Sequence, residues 1–456
     1  MKRVDRKILL LVAVELALAF SAVLAAAGLR FQGDFPADAV GWSLVLRATV
    51  FAVAVVVALT AMGLYQIRQR LKIEGVLARL VIGLGFAAVA LALIYYVAPV
   101  VSLWRGWWVL SFAVTLGLLV ASRTAFARVV EQDLFRRRVL VYGAGKRAAT
   151  LLELRRRSDQ RGFQIVAFVP VPQEAHVVQD ERVDKNGGSL VELARKHDAE
   201  EIVIAMDDRR RGFPIRDLLD CKFAGIEVIE VLRFLERESG KVKIDLMDPS
   251  WMIFSEGFTR RSARTAVGRL LDLVVSIVGV ALGWPIMLLT ALAILLEDGR
   301  PVLYRQTRVG LLGQPFELLK FRSMTKDAER GAAQWAQQKD TRVTKVGAFI
   351  RKLRFDELPQ LLNIIRGDMR LVGPRPERPE FVQSLAASIP YYHERHCVKP
   401  GLTGWAQLSY PYGSSERDAL EKLQFDLYYV KNQGFIFDLI ILLQTVEVVI
   451  WGKGAR

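Results

Sequence analysis

Cysteine is nearly absent. Cys221 and Cys397 are the only two in 456 residues, far apart and without a Cys-x-x-Cys spacing. This excludes a disulfide framework and a cysteine-based zinc site, and it fits a reducing compartment. Histidine is almost as rare: His393 and His396, two of four, lie in Tyr-His-Glu-Arg-His, which lacks the HExxH spacing of a zinc protease. Both read as ordinary surface or core residues. Acidic residues are in deficit, 47 against 63 Lys and Arg, giving a net charge of +16 and a pI near 9.9. Such a balance suits nucleic acid, anionic lipid or phosphorylated substrates. A hydrophobic fraction of 52% and a mean hydropathy of +0.25 set lipid and phosphate ahead of nucleic acid, which is not expected as a partner.

The apolar excess is concentrated. Ile8 to Leu29, Ala48 to Tyr65, Leu80 to Pro99 and Trp104 to Ala121 are four apolar runs within residues 1–130. A membrane span needs roughly 20 residues at ~1.5 Å each to cross ~30 Å of hydrocarbon. The first and third runs suffice; the second and fourth are short. Length, and the three runs that follow, argue against a cleaved signal peptide at the first. Lys2, Arg3, Arg6 and Lys7 precede the first span, and Arg68, Arg70, Lys72 and Arg79 separate the second from the third. By the positive-inside rule both ends of this four-helix bundle face the cytoplasm. Tyr95, Tyr96, Trp104, Trp107 and Trp108 then suit an aromatic belt at the outer interface, and Arg47 can snorkel outward. Glu15, inside the first span, reads as an interhelical hydrogen-bonding residue rather than a transport site.

Arg136, Arg137 and Arg138 mark the exit from the membrane, and a Rossmann-like, CoA-binding-like domain is expected over 136–250. Strand-like runs at Val139 to Tyr142, Ile165 to Val169, Glu201 to Ala205 and Ile226 to Val231 alternate with amphipathic helices, the pattern of a parallel doubly wound sheet. Gly143-x-Gly145-x-x-Ala148 has the form of a turn that holds a pyrophosphate at a helix N-terminus. The acid wanted after the second strand is missing, for Val169-Pro-Val-Pro172 stands there. The domain is therefore expected to be structural or regulatory, without NAD or another bound cofactor.

The last expected domain covers 261–456. Leu273 to Leu296 is apolar, but basic residues flank it on both sides: Arg260, Arg261, Arg264 and Arg269 before, Arg300, Arg305, Arg308, Lys320 and Arg322 after. Two cytoplasmic flanks and a central Pro285 suggest a helix-break-helix over 269–297 that dips into one leaflet and returns. Beyond it lies Arg351-Lys-Leu-Arg-Phe-Asp356-Glu357-Leu-Pro-Gln. Asp356 reads as an N-cap with Pro359 in the first helical turn, a place where phosphates collect. Two adjacent carboxylates among Arg351, Arg354 and Arg375 have what phosphoryl chemistry requires: a nucleophile, a metal ligand and cations for phosphate charge. A pure capping role remains the alternative on pattern alone. Phe435 to Trp451 is apolar but broken by Asp438, Gln444 and Glu447, so it is expected to lie at the interface or pack on the catalytic domain.

Four motifs occur in order: Lys320-Phe-x-x-Met324, Asp356-Glu-Leu-Pro-Gln, Gly367-Asp-Met with Gly373-Pro-Arg-Pro, and Lys399-Pro-Gly-x-Thr-Gly-Trp-Ala-Gln407. With them the chain resembles the monotopic phosphoglycosyl transferases, bacterial polyprenyl-phosphate sugar-1-phosphate transferases. The four-span front and Rossmann-like module resemble the long form of that family. Pro411-Tyr-Gly413 and the Gly452-Lys-Gly-Ala-Arg end resemble its exosortase-associated exopolysaccharide branch. The resemblance implies transfer of a sugar-1-phosphate from a UDP-sugar to undecaprenyl phosphate at the cytoplasmic face of a bacterial inner membrane. Asp356 would be the nucleophile, Glu357 the Mg²⁺ ligand, and Pro285 the break of the re-entrant helix. Lys320, Arg322, Arg351, Arg375 and Gln407 would bind substrate phosphates. Membrane lipids and downstream glycosyltransferases are implied partners, and a homodimer is left open. Arg370 departs from the motif, where Ser is usual, which bears on phosphate or nucleotide contact. Two competing readings are a membrane-tethered nucleotide-sugar dehydratase, for which neither a second Rossmann domain nor a Tyr-x-x-x-Lys pair is found after Arg261, and an inactive assembly scaffold, against which the intact Asp356-Glu357 pair speaks.

Overall fold

The computed structural model describes residues 4–32, 41–65, 73–131, 136–152, 154, 163–172, 174–178, 182–184, 188–208, 212–247, 249–255, 257–258, 262–325, 342–410, 413 and 415–450. Lys2, Arg3, Arg68, Arg70, Lys72, Arg260, Arg261, Pro411, Tyr412 and the 452–456 end, all used above, lie outside these residues. The chain divides into two compact units, Met1–Ser239 and Gly240–Arg456.

In the first unit, α1 (Val4–Phe31), α2 (Trp42–Ala61), α3 (Ile73–Val97) and α4 (Arg105–Glu131) form the bundle. The second and fourth helices extend past their apolar runs, so each has a stretch of 20 or 21 residues long and apolar enough to cross a bilayer. Alanine-rich faces let the helices approach closely: Ala19, Ala22, Ala26, Ala48, Ala52 and Ala87 are all buried. Glu15 is fully buried and paired: Arg123 reaches it at 2.6 Å and the Tyr65 hydroxyl donates to it at 2.6 Å. The interhelical reading of Glu15 therefore holds. Two expectations need correction. Arg47 is not solvated as a snorkelling side chain would be; it is buried and its Nε donates at 3.2 Å to the Val100 carbonyl, in the connection between α3 and α4. Trp107 does not face outward from the bundle as a belt residue would. It is fully enclosed, edge-on to Phe31, with its indole N–H on the Val23 carbonyl.

The Rossmann-like part has β1 (Arg137–Tyr142), β2 (Phe163–Val169), β3 (Glu201–Ile204) and β4 (Glu227–Glu230), all parallel in the order β2-β1-β3-β4. Helices α5 (Lys146–Leu152), α6 (Leu190–Lys196), α7 (Ile215–Phe223) and α8 (Val231–Ser239) accompany them. The Gly-rich turn follows β1 as the pattern predicted, but its anion seat is filled from within. Asp207, just past β3, accepts from the Lys146 and Arg147 amides at 2.8 and 2.7 Å. A Cβ on Gly145 would stand 2.3 Å from an Asp207 oxygen. The Val177 and Val178 amides cover the turn by donating to the Ala144 carbonyl.

The second unit begins at Gly240, so residues 240–250 belong with it rather than with the Rossmann-like part. Val242 donates to the Gln424 carbonyl and the Trp405 indole to that of Gly240. After α9 (Pro249–Phe254) comes α10 (Ser262–Asp298), the fifth helix long and apolar enough to cross a membrane. It is helical throughout with Pro285 inside, so the expected break does not interrupt the helix. Leu282, Trp284, Leu288, Leu289 and Leu296 are among many exposed apolar side chains on it, far more than an aqueous surface tolerates.

The remainder is mainly helical. It includes an antiparallel hairpin, β5 (Leu303–Val309) and β6 (Pro315–Phe321), then α11 (Lys345–Lys352) and α12 (Gln360–Arg366). β7 (Arg370–Val372) pairs in parallel with β8 (Gly401–Thr403). The β7–β8 junction admits only glycine: a Cβ on Gly401 would lie 2.0 Å from the Gly373 nitrogen. Helices α13 (Pro379–Ser388), α14 (Trp405–Ser409), α15 (Glu416–Asn432) and α16 (Phe435–Ile450) complete the unit. Helix α16 packs on the domain, with Ile441 in its core, as one of the two expected arrangements required.

Arg370 is tied into this framework and not into a substrate site. It pairs with Asp272 of α10 at 2.9 Å and Asp438 of α16 at 3.1 Å, while the Leu371 amide holds the other Asp272 oxygen. The departure from Ser thus concerns how α10 and α16 are fastened to β7.

Candidate active site

Asp356 and Glu357 lie on a single 3-10 turn, Phe355–Glu357, between α11 and α12. Arg354 enters it in the left-handed conformation, φ 62° and ψ 18°, which reverses the chain after α11. The N-cap of α12 is Pro359, so Asp356 is not an N-cap; this corrects the sequence expectation. Freed from capping, its Oδ1 is buried without a hydrogen-bond partner.

Glu357 is surrounded by cations. Its Oε1 lies 3.2 Å from Arg375, 3.7 Å from Lys320 and 3.8 Å from Arg354. These three come from a loop, a strand and the turn itself, so tertiary structure assembles them. Burial alone would raise the Glu357 carboxyl, yet Arg375, Lys320 and Arg354 hold it down at about 2. Lys320 is pushed down to about 8, chiefly by burial, with Glu357 opposing. Burial and the neighbouring Glu357 raise Asp356 above the usual carboxylate range, although Lys320, Arg351 and Arg354 counter this. One acid is therefore firmly charged and ion-paired. The other is desolvated with an uncommitted oxygen, which suits a nucleophile.

The surrounding motif residues explain how the turn is held. Asn363 on α12 accepts from the Leu319 amide at 3.0 Å and donates to the Glu317 carbonyl at 2.7 Å, which fixes the Lys320 strand beside the acid turn. Arg269 and Lys399 donate to the last carbonyls of α12, at Ile364, Ile365 and Gly367, where cations complement the helix dipole. Glu297, in the last turn of α10, accepts from the Lys345 and Val346 amides and so caps α11, the helix that carries Arg351.

Of the expected site residues, Lys320, Arg351 and Arg375 gather around the acid pair. Arg322 does not. It is buried and donates to the carbonyls of Asp298 and Gly299, with an ion pair to Asp298 at 2.9 Å, so it fastens the end of α10. Gln407 lies on α14 beside Gly404 and makes no hydrogen bond to the pair among the described residues. Arg308 was missed. It is half-buried on β5, donates to the Pro376 carbonyl at 3.2 Å and lies 3.7 Å from Glu377. Its place in an alternating strand, one position before the turn, was the available signal.

A metal was also expected. Among the described residues no group of three or more His, Cys, Asp or Glu could hold one. Mg²⁺ commonly needs only one or two carboxylates when substrate phosphates supply the remainder. Glu357, on the same turn as Asp356, can serve as that single carboxylate.

Comparison with known proteins places this geometry. A model of the bacterial sugar transferase family matches residues 263–452, and a model described as a CoA-binding domain matches 60–212. The UDP-N-acetylgalactosamine-undecaprenyl-phosphate N-acetylgalactosaminephosphotransferase of Aeromonas hydrophila is 40% identical over 251 residues, 55% of this chain and 58% of that protein. The chain thus spans somewhat over half the length of that relative. The UDP-glucose:undecaprenyl-phosphate glucose-1-phosphate transferase of Escherichia coli K12 is 32% identical over 364 residues, covering 75% of this chain and 74% of that protein. Its namesake from Caulobacter vibrioides is 44% identical over 180 residues, 39% of this chain and 67% of that protein.

The CoA-binding description does not fit the Gly-rich turn, because Asp207 already ligates the amides that a diphosphate would need. The full-length protein should show no saturable binding of CoA or NAD by calorimetry. Its Lys146 and Arg147 amides should exchange slowly with solvent and become fast in Asp207→Ala. Saturable CoA binding that alters exchange at those amides would show the seat to be open.

Lys320 supplies a pH test. It is cationic below about 8 and neutral above, so phosphate neutralisation weakens, and turnover should fall, as pH rises through that value. Arginine stays charged throughout this range. Lys320→Arg should therefore remove the alkaline limb, whatever its effect on the plateau rate. An alkaline limb left unmoved in the variant would assign the titration elsewhere.

Proposed function

The chain belongs to the bacterial sugar transferase family, and from that premise we propose that it transfers a sugar-1-phosphate from a UDP-sugar to undecaprenyl phosphate and releases UMP. The observation that carries the chemistry is the contrast within one turn: Glu357 ion-paired among cations, Asp356 half-buried with its enclosed Oδ1 unpartnered. Lys320, Arg351, Arg354 and Arg375 would neutralise the diphosphate of the donor. An Asp356 carboxylate oxygen attacks the β-phosphorus. The bond from that phosphorus to the bridging oxygen breaks, and UMP leaves with the electron pair. The phosphosugar remains on Asp356. A phosphate oxygen of undecaprenyl phosphate then attacks the same phosphorus and returns the electrons to the carboxylate. Both nucleophiles are anions, so neither half-reaction needs a general base. Glu357 would hold Mg²⁺, which would add positive charge at the phosphates when bound.

The acceptor is a membrane lipid, and α10 is the proposed means of reaching it. A straight helix over Gly268–Asp298 would be about 46 Å long, more than the ~30 Å hydrocarbon core. Yet both ends hold the same body: Arg269 and Asp272 bind α12 and β7, while Glu297 and Asp298 bind α11 and Arg322. A bilayer cannot separate those ends without pulling α12 away from β6, to which Asn363 ties it. The helix is therefore proposed to enter and leave the cytoplasmic leaflet of the inner membrane, bent at Pro285. Initiation of exopolysaccharide or O-antigen-type glycans is the proposed role, feeding downstream glycosyltransferases, with a homodimer compatible with it. No observation favours the dehydratase: beyond Gly240 the described residues form two two-stranded sheets rather than a second Rossmann sheet.

Two measurements test these readings. Given a UDP-sugar without lipid, the enzyme should release UMP in a burst and gain one hexose-phosphate mass on the peptide containing Asp356. Asp356→Asn should abolish both, lowering turnover by orders of magnitude, whereas excess Mg²⁺ should partly restore Glu357→Gln. A kinetic requirement for both substrates together, with no adduct, would replace the covalent route by direct transfer. For topology, cysteines at the exposed Ala266 and Arg305, in a background without Cys221 and Cys397, should both resist an impermeant thiol reagent in intact cells. Labelling of one alone would make α10 a full span.

A further inference from the structure

Arg375 grips Glu357, but the loop that carries it, Gly373-Pro-Arg-Pro-Glu377, has little means of holding itself. Pro374 and Pro376 have no N–H to donate. The carbonyls are instead seized one after another. Arg395 donates to the carbonyl of Arg375 at 3.1 Å, Arg308 to that of Pro376 at 3.2 Å, and the Val309 amide to that of Glu377 at 3.0 Å.

Arg395 lies on the 3-10 helix Tyr392–Cys397 and is almost entirely enclosed. It is held in turn by Asp426 of α15 at 2.8 Å and by the Tyr392 hydroxyl at 2.7 Å. Asp426 is 2% exposed. A buried ion pair contributes little net stability compared with apolar packing, so its use here calls for another reason. Its geometry supplies one, since the same guanidinium nitrogen that meets Asp426 also meets the Arg375 carbonyl.

We propose that Arg395 and Asp426 are positioning residues for the transfer reaction: together with Arg308 they clamp the Pro-Arg-Pro loop so that the Arg375 guanidinium is delivered to Glu357 and the donor diphosphate. The proposal rests on the transferase reading above. Neither Arg395 nor Asp426 touches the acid pair; both act through Arg375. Misplacement of a phosphate-binding group by about 1 Å costs up to about a hundredfold in rate. The clamp therefore governs kcat.

The test is a double-mutant cycle on the full-length protein in detergent, with UMP release as the readout. Arg395→Lys and the isosteric Asp426→Asn should each lower kcat about tenfold or more, with a smaller change in KM for the UDP-sugar. In an Arg375→Lys background the same changes should cost less than about twofold, because the group they position is already displaced. Losses that multiply independently of Arg375, or that merely follow the folded fraction in a melting curve, would overturn the clamp. A second readout does not need turnover. Amide exchange in the peptide covering 370–378 should accelerate in both variants while β5–β6 stays protected, and unchanged exchange there would also overturn it. Absence of UMP release from the wild type with every UDP-sugar would instead defeat the transferase reading, leaving the exchange measurement to judge the clamp.

Discussion

One carboxylate organises the catalytic unit: Glu357, charged and half-enclosed by Arg375, Lys320 and Arg354. A carboxylate removed from water must be compensated by charges of opposite sign in good geometry. No single element supplies them. The strand β6 must therefore lie against the acid turn, the Pro-Arg-Pro loop must bend over it, and Arg354 must take a left-handed backbone. Asn363 fixes the strand, and Arg308 and Arg395 fix the loop, by hydrogen bonds to backbone groups. Meeting this electrostatic demand also leaves Asp356 next door, desolvated but not ion-paired.

The sequence disclosed the elements whose signals are periodic or compositional. Long apolar runs announced the bundle, and alternation of strand and helix announced the parallel sheet with the right strand positions. Adjacent carboxylates with arginines nearby announced the acid pair. Roles that depend on where one strand stops were less legible. Lys320 and Arg322 are two apart, as if on one face of a strand, but β6 ends at Phe321 and Arg322 turns away to hold Asp298. Asp356-Glu-Leu-Pro has the look of a helix start, yet Pro359 takes the N-cap and the acids fall in a tighter preceding turn. Trp107 and Arg47 show the same limit in the bundle, because an aromatic or a charge near a span end can pack inward when neighbours offer a carbonyl.

The Gly-rich turn is a further case. Its glycines satisfy the spacing of a dinucleotide site, but spacing does not show what meets the helix amides. Here a carboxylate sixty residues onward does so, at Lys146 and Arg147. The physical need for an anion at a helix N-terminus is met, and it is met by the chain. The module keeps the architecture of a nucleotide fold while its ligand seat serves internal capping.

The last turn of α10 ties the apolar helix to the acid turn. Glu297 caps α11 through the Lys345 and Val346 amides, and α11 carries Arg351 toward Asp356. Asp298 and Gly299, the next two residues, are held by Arg322 directly after the strand of Lys320. The point where the apolar helix ends is thus the point from which two of the cations around the acid pair are aimed. In the proposed reading, an acceptor whose tail lies in the bilayer and whose phosphate reaches Asp356 would pass that same point. The end of α10 and the elements that carry Arg351 and Lys320 are thus fastened by the same few hydrogen bonds.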